Sequence, residues 1–463
     1  MGINDRVEEI KDEMIKSIKE IVQIKSVTDE KKPGKPFGEG VSKALDKALE
    51  ISERLGFKTK NLDGYVGYAE YGEGEDYVAV LGHLDVVPEG KGWEFPPYGA
   101  EIHDGKMYGR GTMDDKGPII TTLYSLKVIK DLKLPLSKRV RIIFGTNEEN
   151  GCSEIQYYKD REKPPIMGFT PDGDYPIIYA EKGIVTFDLV KNIKVKPRGD
   201  ISIEYIEGGE RANVVPNHCE AGLKVKNPED IIKSINKFCN ENSIEAKVEC
   251  KKGLVVITVT GLAAHGSTPE LGKNAVMQIF KILGALKIEK SDISDVIDFF
   301  NRYVGYETDG KSFGLSLEDK ESGKLTFNIG AAHMKDNKIS IAFNLRYPVT
   351  FKYEDMMGPF NNRISGLGFG IQNMMHQKPL FFPEKHPLIK ILQKVYTEQT
   401  GEEAKLLAIG GGTYAKDMPN MVAFGPMILG EPETIHNSNE YIKIDHIIRN
   451  AKIYAHAIYE LAK

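Results

Sequence analysis

Cysteine and tryptophan are scarce in this chain, and neither sign of charge is in marked excess. Four cysteines (Cys152, Cys219, Cys239 and Cys250) stand among 463 residues, and no two form a Cys-x-x-Cys pair. That excludes a disulfide-dense secreted scaffold, and the four read as reduced thiols of a cytoplasmic protein. With 62 Lys and Arg against 67 Asp and Glu, the net charge is −5, so no basic surface argues for a nucleic-acid partner. No apolar run reaches the length that spans a bilayer. Residues 1–25 are charged and helically periodic, without a signal-peptide apolar block. Neither nucleic acid nor membrane is an expected partner.

Chain length is too great for one ordinary core, and two domains are expected. The run Val78-Ala79-Val80-Leu81-Gly82-His83-Leu84-Asp85 reads as a buried strand of a parallel sheet that ends in a His and an Asp. Chemistry in open α/β sheets gathers outside the carboxyl ends of the strands. Residues two apart on a strand point the same way, so Asp85 is expected to orient the His83 ring as a carboxylate orients a metal-binding imidazole. Helices are expected over 41–55, 118–129, 387–398 and 445–461, and strands over 57–62, 65–71, 139–145 and 421–424.

Gly109-Arg110-Gly111-Thr112-Met113-Asp114-Asp115-Lys116-Gly117 is a glycine-rich loop opening a helix. It lacks the Gly-x-x-x-x-Gly-Lys-Ser/Thr spacing, and its two adjacent carboxylates would repel a polyphosphate, so it suits a cation better than a phosphate. The strand 139–145 runs into Glu148-Glu149, a pair that can divide metal ligation from proton transfer. Thr170-Pro171-Asp172 supplies another acid in the same manner.

From about residue 186 the texture changes to alternating strands (184–190, 201–206, 254–259, 325–329, 338–345) with helices near 228–240 and 274–286, the pattern of a separate α+β domain. His265 sits there in the small-residue turn Ala263-Ala264-His265-Gly266-Ser267, and Arg346 at another strand end. A lone His or Arg in such a place more often serves the fold than the chemistry. The run Gly410-Gly411-Gly412-Thr413 allows close backbone approach to a ligand. The segment Ile435-His436-Asn437-Ser438-Asn439-Glu440 precedes the closing helix.

Taken in order, Gly-His-x-Asp, Gly-Arg-Gly-x-x-Asp-x-Lys-Gly, Glu-Glu, a further Asp and a late His followed by Asn-Glu resemble the M20 family of co-catalytic metallopeptidases. Any one of these motifs is unspecific; five in sequence from His83 to Glu440 are specific. Ala-Ala-His-Gly-Ser, Gly-Gly-Gly-Thr-Tyr and Thr-Pro-Asp resemble its PepV-like bacterial dipeptidases.

The resemblance implies a mixed-sheet α/β catalytic domain of zinc-peptidase type (1–185 and 384–463) with an inserted α+β lid domain (186–383). It implies two divalent metal ions, Zn²⁺ first and Mn²⁺ or Co²⁺ tolerated by the same N and O donors. One would be held by His83 and Asp172, the other by Glu149 and His436, with Asp114 bridging before a cis peptide. A water between the metals would attack, Glu148 would be the general base, Asp85 would orient His83, and His265 would stabilise the oxyanion. Asn213 and Arg346 would hold the substrate carboxylate, with Gly411, Gly412 and Thr413 lining the cleft. The implied function is hydrolysis of unblocked dipeptides by a monomer. An M20 N-acyl-amino-acid deacylase or carboxypeptidase is the near alternative, and a binding protein without turnover the distant one, disfavoured by Glu148.

Overall fold

The apolar run that ends at His83 forms a strand buried along its whole length, Tyr77–His83. In the computed structural model, which describes residues 2–195 and 199–463, Cα packing divides the chain into two units. The first comprises Met1–Tyr179, Phe382–Leu407 and Gly412–Lys463; the second comprises Ala180–Phe381 and Ala408–Gly411.

In the first unit, Tyr77–His83 lies between Arg139–Gly145 and Met167–Thr170 and runs parallel to both, with His83 in register with Gly145. Met421–Ala423 continues the parallel set beside Met167–Thr170. Val66–Tyr71 and Lys58–Leu62 close the other side antiparallel. The sheet is therefore mixed, and its parallel centre explains why its strands read as continuous apolar runs. Helix Lys116–Asp131 is buried almost all round because Ile3–Val22, Ile444–Ala462 and the strand Tyr77–His83 all pack on it. It has no polar stripe to show.

In the second unit, eight antiparallel strands follow the order Ala246–Lys251, Leu254–Thr260, His218–Val225, Ile201–Gly208, Thr326–Lys335, Lys338–Tyr347, Gly183–Asn192, Gly370–Gln377. Helices Pro228–Glu241, Ala275–Gly284, Asp292–Tyr303 and Tyr353–Ile364 contribute to one hydrophobic core with them. Phenylalanines join the layers: Phe187 stacks on Phe343 at 5.1 Å between ring centres and meets Phe360 edge-on at 5.0 Å. Burial of each such side chain contributes about 1.5–3 kcal/mol.

Sequence periodicity missed five of these elements, the strands His218–Val225, Ala246–Lys251 and Gly370–Gln377 and the helices Asp292–Tyr303 and Tyr353–Ile364. Helix Asp292–Tyr303 begins at a Ser291 cap that accepts from Ser294 N, a signal lying in a charged, serine-rich stretch. Strand Gly370–Gln377 is an exposed sheet edge, so no apolar alternation is imposed on it. No described helix is long and apolar enough to cross a membrane.

Candidate active site

Three parallel strands of the first unit end on the same side. They deliver His83, the Glu148-Glu149 turn after Gly145, and Asp172 after Thr170. Gly82 makes the approach of the next element feasible: a Cβ there would lie 2.2 Å from Asp115 Oδ2. Asp115 in turn accepts the His83 main-chain N–H at 3.1 Å. The Asp114–Asp115 peptide is cis, as the family resemblance implies.

Asp114 is the centre of the group. Its Oδ1 lies 2.9 Å from His83 Nε2, and its Oδ2 lies 3.0 Å from His436 Nε2. His436 Nε2 also lies 3.3 Å from Glu149 Oε1. One donor atom from each of His83, Asp114 and Glu149 falls within 4.8 Å of the others. A single carboxylate thus faces two imidazoles with separate oxygens, a suitable donor arrangement for two cations sharing a ligand.

Electrostatics fit that donor set. Burial pushes the Asp114 carboxyl up, but His436 and His83 outweigh it and hold it well below the carboxylate range. Asp172 is pushed up to about 7 by burial and then by the Asp114 charge. Glu148 is raised well above its ordinary value by burial, reinforced by Asp172, Asp114 and Glu149 against the lowering effect of His83. His436 rises to about 10 because it bonds Asp114 and Glu149. Crowded carboxylates that resist ionisation mark a place where positive charge is wanted. His83, Asp114, Glu149, Asp172 and His436 are all N or O donors suited to Zn²⁺ or a similar divalent ion.

Asp85 lies against the His83 ring and also reaches beyond what its sequence reading gave it. The strand ends at His83, so the alternation does not carry on to residue 85. His83 Nδ1 is 3.0 Å from the Asp85 main-chain carbonyl and 3.5 Å from its carboxylate. The carboxylate also accepts the N–H groups of Glu148 and Glu149, each at 3.1 Å. Asp85 therefore joins His83 to the glutamate turn through both main chain and side chain.

The second unit holds Asn213, His265, Arg346 and Gly411. Gly266 N donates to Asn213 O at 2.7 Å and Val215 N to Ala264 O at 2.9 Å, which zips the Asn213 and His265 loops together. His265 Nδ1 lies 2.6 Å from Ser267 Oγ. Arg346 is buried; its Nε donates to Asn344 Oδ1 at 2.8 Å and its Nη1 to Gly410 O at 2.7 Å. Both acceptors are neutral, and burial lowers the guanidinium to about 10. That is the condition of a cation prepared for an anionic ligand. Gly412 and Thr413 belong to the first unit, where Thr413 Oγ1 accepts from Ala415 N at 3.3 Å.

A family model described as Peptidase family M20/M25/M40 matches residues 79–460. The chain belongs to this family. Among curated relatives, the Bacillus subtilis (strain 168) protein named "Putative dipeptidase YtjP" is 40% identical over 459 residues, covering 98% of this chain and 98% of the relative. Human carnosine dipeptidase 1 superposes with a TM-score of 0.57 at 16% identity, over 99% of this chain and 98% of that one. The M20 family metallo-carboxypeptidase Sso-CP2 of Sulfolobus solfataricus gives 0.58 at 16% identity, over 97% and 99%. At such identities the likeness speaks to the fold, and it is the mixed-sheet α/β fold with catalytic and lid domains. The M20 chain is a peptide hydrolase.

Sequence reading left some residues of this M20 site without a role. Glu440 is fully buried; its Oε1 accepts the N–H groups of Gly111, Met113 and Asp114 at 3.0, 2.9 and 3.2 Å. Its Oε2 takes Arg110 Nη1 at 2.7 Å. Glu440 thereby shapes the loop that presents Asp114. Tyr414 packs edge-on to His83 at 6.0 Å between ring centres, and its O–H donates to buried Glu154. The Gly-Arg-Gly and Asn-Glu motifs hinted at the first pair; nothing in the sequence joins Glu154 to Tyr414 across 260 residues.

Proposed function

We propose that this chain is a metal-dependent dipeptidase acting on unblocked dipeptides. The observation that carries the reading is Asp114, one buried carboxylate facing His83 and His436 with separate oxygens, beside a glutamate pair whose second member also faces His436. His83 and Asp172 would hold one divalent ion, Glu149 and His436 the other, with Asp114 shared; Zn²⁺ fits first, and Mn²⁺ or Co²⁺ also fit. Bound there, the ions supply electrophilic polarisation of the scissile carbonyl and acidify water.

The chain's own residues do the rest. Glu148 takes the proton of the attacking water and returns it to the leaving amine, a task suited to a carboxyl pushed upward by burial. Asp85 holds the glutamate turn by two main-chain hydrogen bonds. From the inserted domain, His265 would stabilise the developing oxyanion, and Asn213 and Arg346 would bind the substrate carboxylate. The backbone of Gly411 and Gly412, with Thr413, would line the same cleft. Dipeptidase names among the curated relatives support the substrate class. We further propose a cytoplasmic monomer, with residues 186–383 as the lid insertion between catalytic segments 1–185 and 384–463.

The test is a substrate panel with metal-depleted enzyme and re-added Zn²⁺, Mn²⁺ or Co²⁺. Ala-Ala should be cleaved only after metal return, while N-acetyl amino acids and longer peptides are spared. Preference for N-acetyl amino acids would replace the dipeptidase reading with a deacylase one.

A further inference from the structure

On one face of its sheet the 180–381 unit carries a row of buried polar side chains: Thr326, Asn328, Asn344 and Arg346. Strand register sets Thr326 opposite Arg346 and Asn328 opposite Asn344. Arg346 Nε leans on Asn344 Oδ1 at 2.8 Å, and Asn344 Nδ2 on Thr186 Oγ1 at 3.1 Å. Asn328 turns elsewhere. Its Nδ2 donates to Ala212 O at 2.7 Å and to Val214 O at 3.2 Å, the carbonyls on either side of Asn213.

Those two carbonyls fix which end of the Asn328 amide is nitrogen, since flipping it would set oxygen against two oxygens. Oδ1 is then left without a hydrogen-bond partner among the described residues, in a side chain only 1% exposed. An amide so placed is costly unless its two donors are needed. The contact is also tight: at Gly330, on the same strand, a Cβ would meet Ala212 Cα at 2.4 Å. Asn213 itself is exposed, so the main chain around it sets its position.

We propose that Asn328 is a positioning residue for the substrate-carboxylate site, acting through Asn213. It clamps the carbonyls of Ala212 and Val214, the residues on either side of Asn213, to the strand facing Arg346, so that the two carboxylate-binding side chains keep a fixed spacing within this unit. The inference rests on the role proposed above for Asn213. Its effect should fall more on substrate binding than on turnover, because the His265 turn, although zipped to the Asn213 loop, has further anchors of its own. Thr268 N donates to His265 O at 3.0 Å, and Leu262 and Lys273 exchange hydrogen bonds of 3.0 and 2.8 Å.

A double-mutant cycle on the metal-loaded full chain, read as kcat and KM for Ala-Ala, tests this. Asn213→Ala and Asn328→Ala should each raise KM by roughly five- to tenfold with kcat within about twofold, and the double variant should exceed Asn213→Ala by less than about twofold. Asn328→Asp keeps the size and sets a carboxylate oxygen against the two carbonyls, so it should reproduce the KM rise if Asn328→Ala folds poorly. Unchanged KM in both Asn328 variants, or their full effect persisting without Asn213, overturns the proposal. A lowered thermal midpoint at unchanged KM also overturns it, leaving Asn328 a support of the fold. If Asn213→Ala itself leaves KM unchanged, the carboxylate role of Asn213 falls first and this proposal with it.

Discussion

Asp114 faces two imidazoles with one carboxylate, and the residues around it owe their chemistry to burial. Asp85 shows how a side chain's role is set by where a strand stops. The sequence pattern paired it with His83, and the structure adds the Glu148 and Glu149 amides as its carboxylate partners. Asp85→Asn should lower kcat/KM by about 10–100-fold while shifting the thermal midpoint by only a few degrees. Equal losses of activity and stability would make Asp85 a fold residue. Glu154 allows a pH test. Burial pushes its carboxyl up to about 7, so folding favours the protonated form. The stability this group contributes is fully present below the ordinary glutamate range and is lost as pH rises through about 7. Glu154→Gln keeps an acceptor for Tyr414 and cannot ionise. Thermal scans should show it gaining on the natural chain at pH 8 relative to pH 4; an equal difference at both pH values would contradict the burial argument.

At the scale of elements, the strands that deliver the site were legible because a parallel centre demands continuous apolar runs. Arg139–Gly145 begins and ends where its sequence pattern does. The glycine-rich loop was legible as a carboxylate-presenting turn, yet its support was not, since Glu440 reaches it from the far end of the chain. Long-range hydrogen bonds of this kind leave no periodic trace. Glu440→Ala would leave the Arg110 guanidinium buried without its carboxylate and should destabilise the chain by about 3–5 kcal/mol, read by denaturant unfolding. Glu440→Gln should stay folded and lose divalent-ion affinity by about 10–100-fold, read by metal titration. Unchanged affinity would show that the loop keeps its shape without that charge.

For the molecule as a whole, composition and length announced a multi-domain globular chain, and the change of texture after residue 186 announced an α+β insertion. What the texture could not announce was which elements close the second unit's sheet, because its exposed edge Gly370–Gln377 obeys no burial pattern. Static light scattering should return one chain of 51.7 kDa; twice that mass would contradict the proposed monomer. Chelation should lower the unfolding midpoint and re-added Zn²⁺ restore it, because an ion that binds only the folded chain contributes about 4 kcal/mol at a thousand times its Kd. The most direct test of the proposed chemistry is Glu148→Gln, assayed together for divalent metal content and Ala-Ala hydrolysis. Two ions per chain should remain bound while kcat falls by about 10²–10⁴-fold, the usual contribution of a general base. Full activity at unchanged metal content would contradict Glu148 as the proton carrier and with it the proposed mechanism.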